Sequence, residues 1–261
     1  MKKFAVIGTP INHSLSPLMH ESIFEQIGLK ARYEKIQIKP FELEKFVRSN
    51  KLDGYNVTIP YKKIILKYLE SIENSAKSIT AVNCVSNQKG YNTDWIGFTK
   101  TLDQNNIDLK NKSCMVLGSG GAAYAISYAL VKLQVKSIKI ENRSIKNRIS
   151  LENWIDNRMN LKLASDPEVF INCTPLGMSP EIHRIPSNYN IKEGNIVIDT
   201  IYNPMKTKWL KQCEKKGAII ISGLDMLIAQ GIASLNIWLN DDIFDKVNLK
   251  HIKNILENEL C

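Results

Sequence analysis

The stretch Cys114-Met115-Val116-Leu117-Gly118-Ser119-Gly120-Gly121-Ala122-Ala123 decides how the rest of the chain is read. Cys114 to Leu117 reads as a buried strand, Gly118 to Gly121 as a turn, and Ala122 to Leu133 as a helix. Gly118-x-Gly120-x-x-Ala123 thus follows a strand and opens a helix, the context in which a glycine-rich turn takes a dinucleotide. The first glycine permits the tight turn, and the second lets backbone approach a pyrophosphate. The third position must be small where helix meets strand. The helix start adds free N–H groups and the positive end of the dipole. A ligand-free βα turn is the plain alternative, but strand, turn and helix together favour the cofactor.

Working outward, Ser137 to Glu141 is a second strand, followed by Asn142-Arg143-Ser144. Glu141 lies at the distance, ~20 residues past the glycines, where an acid usually holds the ribose hydroxyls of NAD. Arg143 argues for NADP, because a guanidinium there can hold a 2′-phosphate. Ile138, Ile140 and Asn142 share one strand face, and Glu141 falls on the other with Lys139. Further strands are expected at Val169–Asn172, Ile196–Asp199 and Ile219–Ile221, a doubly wound pattern. Leu224 to Leu239 is an apolar helix, and an amphipathic helix follows from about Lys246. Asp103-Gln104-Asn105-Asn106 is a candidate domain junction.

Before this unit, short β-type runs alternate with helical ones. Phe4 to Ile7, Tyr33 to Ile38 and Gly54 to Thr58 read as strands. Pro17 to Ile27 and Phe41 to Arg48 read as helices. Strands separated by helices imply parallel pairing and an α/β layer fold.

Polar groups in this part stand where a core would not want them. Ser16 before Pro17 makes an N-cap and N1 pair, yet one serine suffices for a cap. Ser14 and Ser16 beside a helix start also make a carboxylate receptor. Asn56-Val57-Thr58-Ile59-Pro60-Tyr61-Lys62 runs from a strand into a helix that Pro60 is expected to start. Lys62 then falls in the first helical turn, where the dipole disfavours a cation, and so stands out as a candidate for proton transfer. Tyr91-Asn92-Thr93-Asp94 is either a turn and helix cap or the source of a carboxylate opposite Lys62. Gln230 interrupts an apolar helix face and needs a partner, a ligand hydroxyl or backbone.

Composition narrows the classes. The chain has 261 residues, enough for two modest domains, and 44% hydrophobic residues, enough for a core. The net charge of +9 is spread along the chain without a basic helix or stripe, which favours anionic small ligands over nucleic acid. Cys84, Cys114, Cys173, Cys213 and Cys261 show no C-x-x-C, so neither a disulfide framework nor a zinc site is implied. The four histidines have no ligand spacing, so no metal is expected. The apolar run at the start ends after Ile7, too short for a signal peptide, and no stretch is long enough to span a membrane. A soluble, untargeted, cytoplasmic protein is expected.

Together these stretches resemble the shikimate dehydrogenase family. The resemblance is carried by Ser14-Leu15-Ser16-Pro17, Asn56 to Lys62, Ala81-Val82-Asn83, Asn92-Thr93-Asp94, Gly118 to Ala122 and Asn142-Arg143-Ser144. It continues through Ile171 to Met178, Asp199-Thr200-Ile201-Tyr202-Asn203-Pro204 and Gly223 to Gln230. The order covers nearly the whole chain. Cys173 stands where the family more often has alanine, and Asp225 where it often has glycine.

The resemblance implies a fold of two domains, an N-terminal α/β substrate domain and a Rossmann-type doubly wound dinucleotide domain. Residues 1–100 plus 225–261 would form the first, and 101–224 the second. It further implies NADPH-dependent reversible reduction of 3-dehydroshikimate to shikimate, in aromatic amino-acid (chorismate) biosynthesis. Lys62 would be the catalytic proton carrier, paired with Asp94. Ser14 and Ser16 would hold the substrate carboxylate. Thr58, Asn83, Asp94, Tyr202 and Gln230 would bind ring hydroxyls or carboxylate. Gly118, Ser119, Gly120, Gly121 and Ala122 would take the pyrophosphate of NADP(H). Asn142, Arg143 and Ser144 would take the 2′-phosphate end, and Thr200 and Gly223 would flank the nicotinamide. Serine at both Ser14 and Ser16 resembles the shikimate-using branch; quinate users often carry threonine at the second. The open alternatives are quinate use or NAD use, and a non-enzymatic cofactor-sensing module. A monomer or homodimer with no nucleic-acid or membrane partner is expected.

Overall fold

A computed structural model of the chain describes residues 1–159 and 166–260; Cys261 lies outside the described residues. The chain forms two compact units, Met1–Gly97 with Ile228–Glu259, and Phe98–Leu227.

The first unit begins with β1 (Lys2–Gly8), α1 (Ser16–Gln26), β2 (Ala31–Gln37), α2 (Leu43–Ser49) and β3 (Gly54–Val57). It continues with β4 (Ser71–Ile72), α3 (Asn74–Ile79), β5 (Cys84–Ser86), β6 (Lys89–Tyr91) and the start of α4 (Asp94–Gln104). The sheet order is β2-β1-β3-β5-β6-β4. Phe4, Ala5, Val6 and Ile7 of β1 are all buried, as suits a central strand covered on both faces.

The expectation of parallel pairing holds only for part of this sheet. β1 is parallel to β2 and β3, but β5 is antiparallel to both β3 and β6. The reason is a two-residue hairpin. Ser86 pairs with Lys89, and Asn87 and Gln88 between them have φ of 47° and 59°. Positive φ at both positions is the type I′ geometry whose twist suits adjoining antiparallel strands. Gln88 lacks the glycine that normally announces such a turn, and its side-chain amide donates to the Val47 carbonyl at 2.7 Å.

Two local expectations are also corrected. Lys62 is not in a helical turn: residues 59–63 form a turn that leads into a short 3-10 helix at Ile64–Tyr68. Tyr61 N–H donates back to the Thr58 carbonyl at 2.9 Å, and the Lys62 carbonyl accepts from Val82 N–H at 2.8 Å. Tyr61 itself is fully buried and its hydroxyl bonds to the Ile38 carbonyl. The segment is therefore tied partly to distant loops, at Ile38 and Val82, rather than to a helical ladder of its own. Nor is Ser16 the N-cap of α1. It is the first helical residue, Leu15 holds the cap position without a side-chain bond, and Ser14 Oγ accepts from Ser16 N–H at 3.3 Å.

The second unit takes the rest of α4, then β7 (Ser113–Leu117), α5 (Gly121–Lys132), β8 (Ser137–Glu141), α6 (Ile145–Asp156) and β9 (Val169–Asn172). β10 (Ile196–Asp199), α7 (Lys208–Glu214), β11 (Ile219–Ile221) and the first part of α8 (Gly223–Leu239) follow. α9 (Leu249–Leu260), which up to Glu259 falls in the first unit with the rest of α8, buries Ile252 and Leu256. All strand pairs of this sheet are parallel, in the order β11-β10-β9-β7-β8. Chain order reverses between β7 and β9, which makes the carboxyl ends of those two strands the crevice of a doubly wound sheet. Met115, Phe170, Val197, Trp209 and Leu210 form the core on one face. Asp103-Gln104-Asn105-Asn106 ends α4, and the division between units falls earlier, at Gly97/Phe98.

Candidate active site

In the first unit, two distant segments bring an amine and a carboxylate together. Lys62 Nζ donates to Asp94 Oδ2 at 2.6 Å, with the side chains only 20% and 8% exposed. Both readings of Asn92-Thr93-Asp94 are realised at once. Asn92 Oδ1 accepts from Asp94 N–H at 3.1 Å, which settles the start of α4, and the carboxylate faces Lys62. An ion pair this buried needs further hydrogen bonds to offset desolvation. Asn83 supplies one, its Nδ2 donating to Asp94 Oδ1 at 2.8 Å. The same nitrogen lies 2.9 Å from Thr93 Oγ1 and 3.3 Å from Gln230 Oε1. Lys62, Asp94, Asn83 and Gln230 thus form one contiguous polar group. Ser14 and Ser16, both buried, form a separate pair, with Ser14 Oγ donating to Ser16 Oγ at 3.2 Å. Thr58 is half-buried and closes the turn that carries Lys62.

Residues not singled out by sequence support this group. Thr93, Asn56 and Ser234 are buried and hydrogen-bonded to it or to one another. Thr93 and Asn56 lie inside quoted polar stretches. Ser234 had one usable signal: it stands one helical turn after Gln230 on α8, hence on the same face.

In the second unit, Gly118 has φ of +112°, a value that strains any side chain, and its N–H donates to the Glu141 carbonyl at 2.7 Å. A Cβ at Gly118 would lie 3.0 Å from the Cys173 carbonyl oxygen, so the turn rests against the end of β9. Gly120 is the N-cap of the twelve-residue α5 and has no side chain to cap it. Its missing Cβ would meet nothing within 4 Å. Ser119, Gly121 and Ala122 beside it are half-buried, and Ala123 is fully buried. Open backbone at an uncapped helix start fits a pyrophosphate. At the end of β8, Glu141 is exposed on the face with Lys139 while Ile138 and Ile140 are buried. Arg143 is exposed, Asn142 Nδ2 donates to the Ser144 carbonyl at 3.0 Å, and Ser144 caps α6. An exposed guanidinium beside a helix start fits a 2′-phosphate.

Asp199, at the end of β10, is a buried hub in this unit. Its carboxylate accepts from Asn172 Nδ2 at 3.0 Å, Ile201 N–H at 3.0 Å and Thr207 Oγ1 at 2.8 Å. Burial raises its carboxyl to about 6 from an ordinary 3.8, against the lowering effect of those bonds. The hub fixes the loop that carries Thr200 and Tyr202. Gly223 N–H donates to the Ile201 carbonyl of that loop at 3.0 Å. Tyr202 is half-buried and burial raises its phenol. Cys84, Cys114, Cys173 and Cys213 are in no disulfide, and among the described residues no group of three His, Cys, Asp or Glu side chains is gathered. No described helix is long and apolar enough to cross a membrane.

The sequence pattern of the shikimate dehydrogenase substrate binding domain matches residues 6–85. A shikimate dehydrogenase (NADP+) of Staphylococcus aureus strain MSSA476 is 40% identical over 253 aligned residues, covering 92% of this chain and 93% of the relative. The chain belongs to the shikimate dehydrogenase family. A crystal structure of a shikimate dehydrogenase in complex with NADP+ superposes with a TM-score of 0.92 at 33% identity, covering 100% of this chain and 96% of that one. The Thermus thermophilus enzyme in complex with NADP(H) and shikimate gives 0.86 at 28% identity, with both chains fully covered.

Proposed function

We propose that the protein catalyses the reversible, NADPH-dependent reduction of 3-dehydroshikimate to shikimate in aromatic amino-acid biosynthesis, with Lys62 as proton carrier. The observation that carries this reading is the 2.6 Å contact of Lys62 with Asp94 inside a buried polar group. When bound, NADPH supplies the hydride that the ketone carbon accepts. As negative charge develops on the carbonyl oxygen, the Lys62 ammonium stabilises it and transfers a proton to it. In the oxidative direction the amine of Lys62 takes the hydroxyl proton. Asp94 keeps the amine in place through Oδ2 while Asn83 holds Oδ1. Ser14 and Ser16 bind the substrate carboxylate through their hydroxyls. Thr58, Asn83, Asp94, Tyr202 and Gln230 take the remaining polar groups, which fixes one ring carbon for reaction.

Residues 1–100 with 225–261 serve as the substrate-binding domain, and residues 101–224 as the NADP-binding domain. Gly118, Ser119, Gly120, Gly121 and Ala122 receive the pyrophosphate, Asn142, Arg143 and Ser144 the 2′-phosphate, and Thr200 and Gly223 the nicotinamide side. The enzyme works in the cytoplasm as a monomer or homodimer.

Steady-state absorbance of NADPH, with shikimate and quinate each tested against NADP+ and NAD+, examines the assignment directly. Shikimate with NADP+ should be the preferred pair; a preference for quinate would overturn the substrate. Lys62→Ala should fold and bind shikimate while turnover falls by about 10²- to 10⁴-fold, the usual worth of a positioned proton carrier. Near-native turnover in that variant would remove Lys62 from the mechanism.

A further inference from the structure

Asp94 is fixed by a chain of buried hydrogen bonds whose far end is a serine on another element. Tyr33 OH donates to Asn56 Oδ1 at 2.7 Å, which sets the orientation of that amide. Asn56 Nδ2 must then face the other way, and it lies 2.8 Å from Ser234 Oγ and 3.0 Å from the Asn83 carbonyl. Ser234 Oγ is also 3.1 Å from Thr93 Oγ1 and 3.0 Å from the Gln230 carbonyl. At the near end, Asn83 Oδ1 accepts from Thr93 N–H at 2.6 Å, so Asn83 Nδ2 is the atom turned to Asp94 Oδ1 and Thr93 Oγ1.

Proton counting gives the chain one self-consistent sense. A carbonyl can only accept, so the Ser234 hydroxyl donates to Gln230. Its oxygen is left to accept from both Asn56 and Thr93. Thr93, having accepted from Asn83, donates to Ser234. Asn83, its Oδ1 held by the Thr93 N–H, donates toward Asp94 Oδ1, and Asp94 Oδ2 is left for Lys62. Ser234, Thr93, Asn56 and Asn83 are all buried, so no solvent competes for these bonds.

We propose that Ser234 is a positioning residue for the Lys62–Asp94 pair, acting through Thr93 and Asn83 without itself touching substrate. The proposal deepens the shikimate dehydrogenase reading and rests on it. Without the hydroxyl, the outlet left among the described residues for the Thr93 hydroxyl proton is the 3.3 Å contact to Asn83 Oδ1. That bond draws the Thr93 hydroxyl onto the Asn83 Oδ1 already held by the Thr93 N–H at 2.6 Å, and so shifts the amide that holds Asp94.

The native chain is first assayed with shikimate and NADP+. Ser234→Ala should lower kcat by about fivefold to tenfold, the equivalent of one buried hydrogen bond. The KM for NADP+ and the Kd for shikimate by calorimetry should not change. Ser234→Thr, which keeps the hydroxyl and adds a methyl, should recover most of the loss. A kcat for Ser234→Ala within about twofold of native, below the worth of one such bond, overturns the proposal, as does a threonine variant as slow as the alanine one. If Ser234→Ala does not fold, Thr93→Val compared with Thr93→Ser breaks the chain one link nearer, and equal rates are the refuting result. A native chain inactive on shikimate would instead refute the parent reading. In that case the side-chain amide protons of Asn83 decide by NMR. They should stay resolved in the native protein and in Ser234→Thr, and broaden or shift in Ser234→Ala; unchanged signals in Ser234→Ala refute the proposal.

Discussion

Gly223 opens α8, and helix propensity alone says that alanine there should stabilise the protein by up to about 1 kcal/mol. The structure says the opposite. A Cβ at Gly223 would lie 2.3 Å from the Thr200 carbonyl oxygen, 2.5 Å from the Thr200 carbonyl carbon and 2.9 Å from the Ile201 carbonyl carbon. The obstacle is backbone, so no rotamer change relieves it. The loop carrying Thr200 and Tyr202 must move by roughly 1 Å to restore ordinary contact, at a cost typical of overpacking, about 1–3 kcal/mol. A displacement of that size at a positioned group costs on the order of 10²-fold in rate. Gly223→Ala should therefore lower both the melting temperature and kcat/KM for shikimate. Gly120→Ala is the internal control. Its Cβ meets nothing within 4 Å, so stability should fall by less than about 1 kcal/mol, the cost of alanine at an N-cap. Affinity for NADP+ should fall clearly, because the methyl fills the space assigned to phosphate. Thermal unfolding, NADP+ titration by fluorescence and steady-state kinetics separate the two variants. If Gly223→Ala keeps its melting temperature and a near-native kcat/KM, the loop is not held where the contact distances put it and the reasoning fails.

Two buried titratable groups give opposite pH dependences. His20 stacks on Tyr33 at 4.1 Å, and burial, opposed by the Asn56 side chain, lowers its pKa from 6.5 to about 3. A depressed folded-state pKa means that stability is present above 6.5 and is lost as pH falls toward 3, by an upper limit on the order of 5 kcal/mol. Urea unfolding of His20→Phe at pH 7 and pH 4 should show a smaller loss than the native chain; an equal loss would exclude His20 as the cause. Asp199 runs the other way, since its folded-state pKa is raised from 3.8 to about 6. The folded chain then binds more protons in that window, so its contribution is full below 3.8 and is lost as pH rises through 6, by about 3 kcal/mol at most. Asp199→Asn, neutral throughout, should flatten stability between pH 4 and pH 6.5, and a slope identical to native would refute the assignment.

The second unit is legible because its signals are local. β8, β9, β10 and β11 have the bounds read from their apolar runs, and the turn at Gly118 sits where strand, glycines and helix put it. Parallel strands covered on both faces write themselves as continuous apolar runs. The first unit is less legible because β4, β5 and β6 are two or three residues long, too short for a period to show, and the β5–β6 hairpin turns on Asn87-Gln88 without glycine. Lys62 is instructive in another way. The residue chosen from sequence does meet Asp94, but the helix dipole invoked to single it out is not there. What distinguishes it is the anchoring of its turn, with Tyr61 buried below it and the Lys62 carbonyl taken by the Val82 N–H.

The support of the pair could not be read from spacing at all. Asn83 and Asp94 are 11 residues apart, Asn83 and Gln230 are 147 apart, and Asn56 and Ser234 are 178 apart. No periodicity connects such positions; only the requirement that buried polar atoms find partners does. That requirement is also directional. A carboxylate accepts and an ammonium donates, so their ion pair is compatible with many geometries, whereas an amide between them must choose which end it presents. Asn83 can present Nδ2 to Asp94 only because its Oδ1 is held by the Thr93 N–H, and Thr93 in turn needs somewhere to send its own proton. The specificity of the site for one arrangement of charge therefore rests in part on neutral side chains beyond it, Asn83 directly and, one step further out, a serine buried within α8.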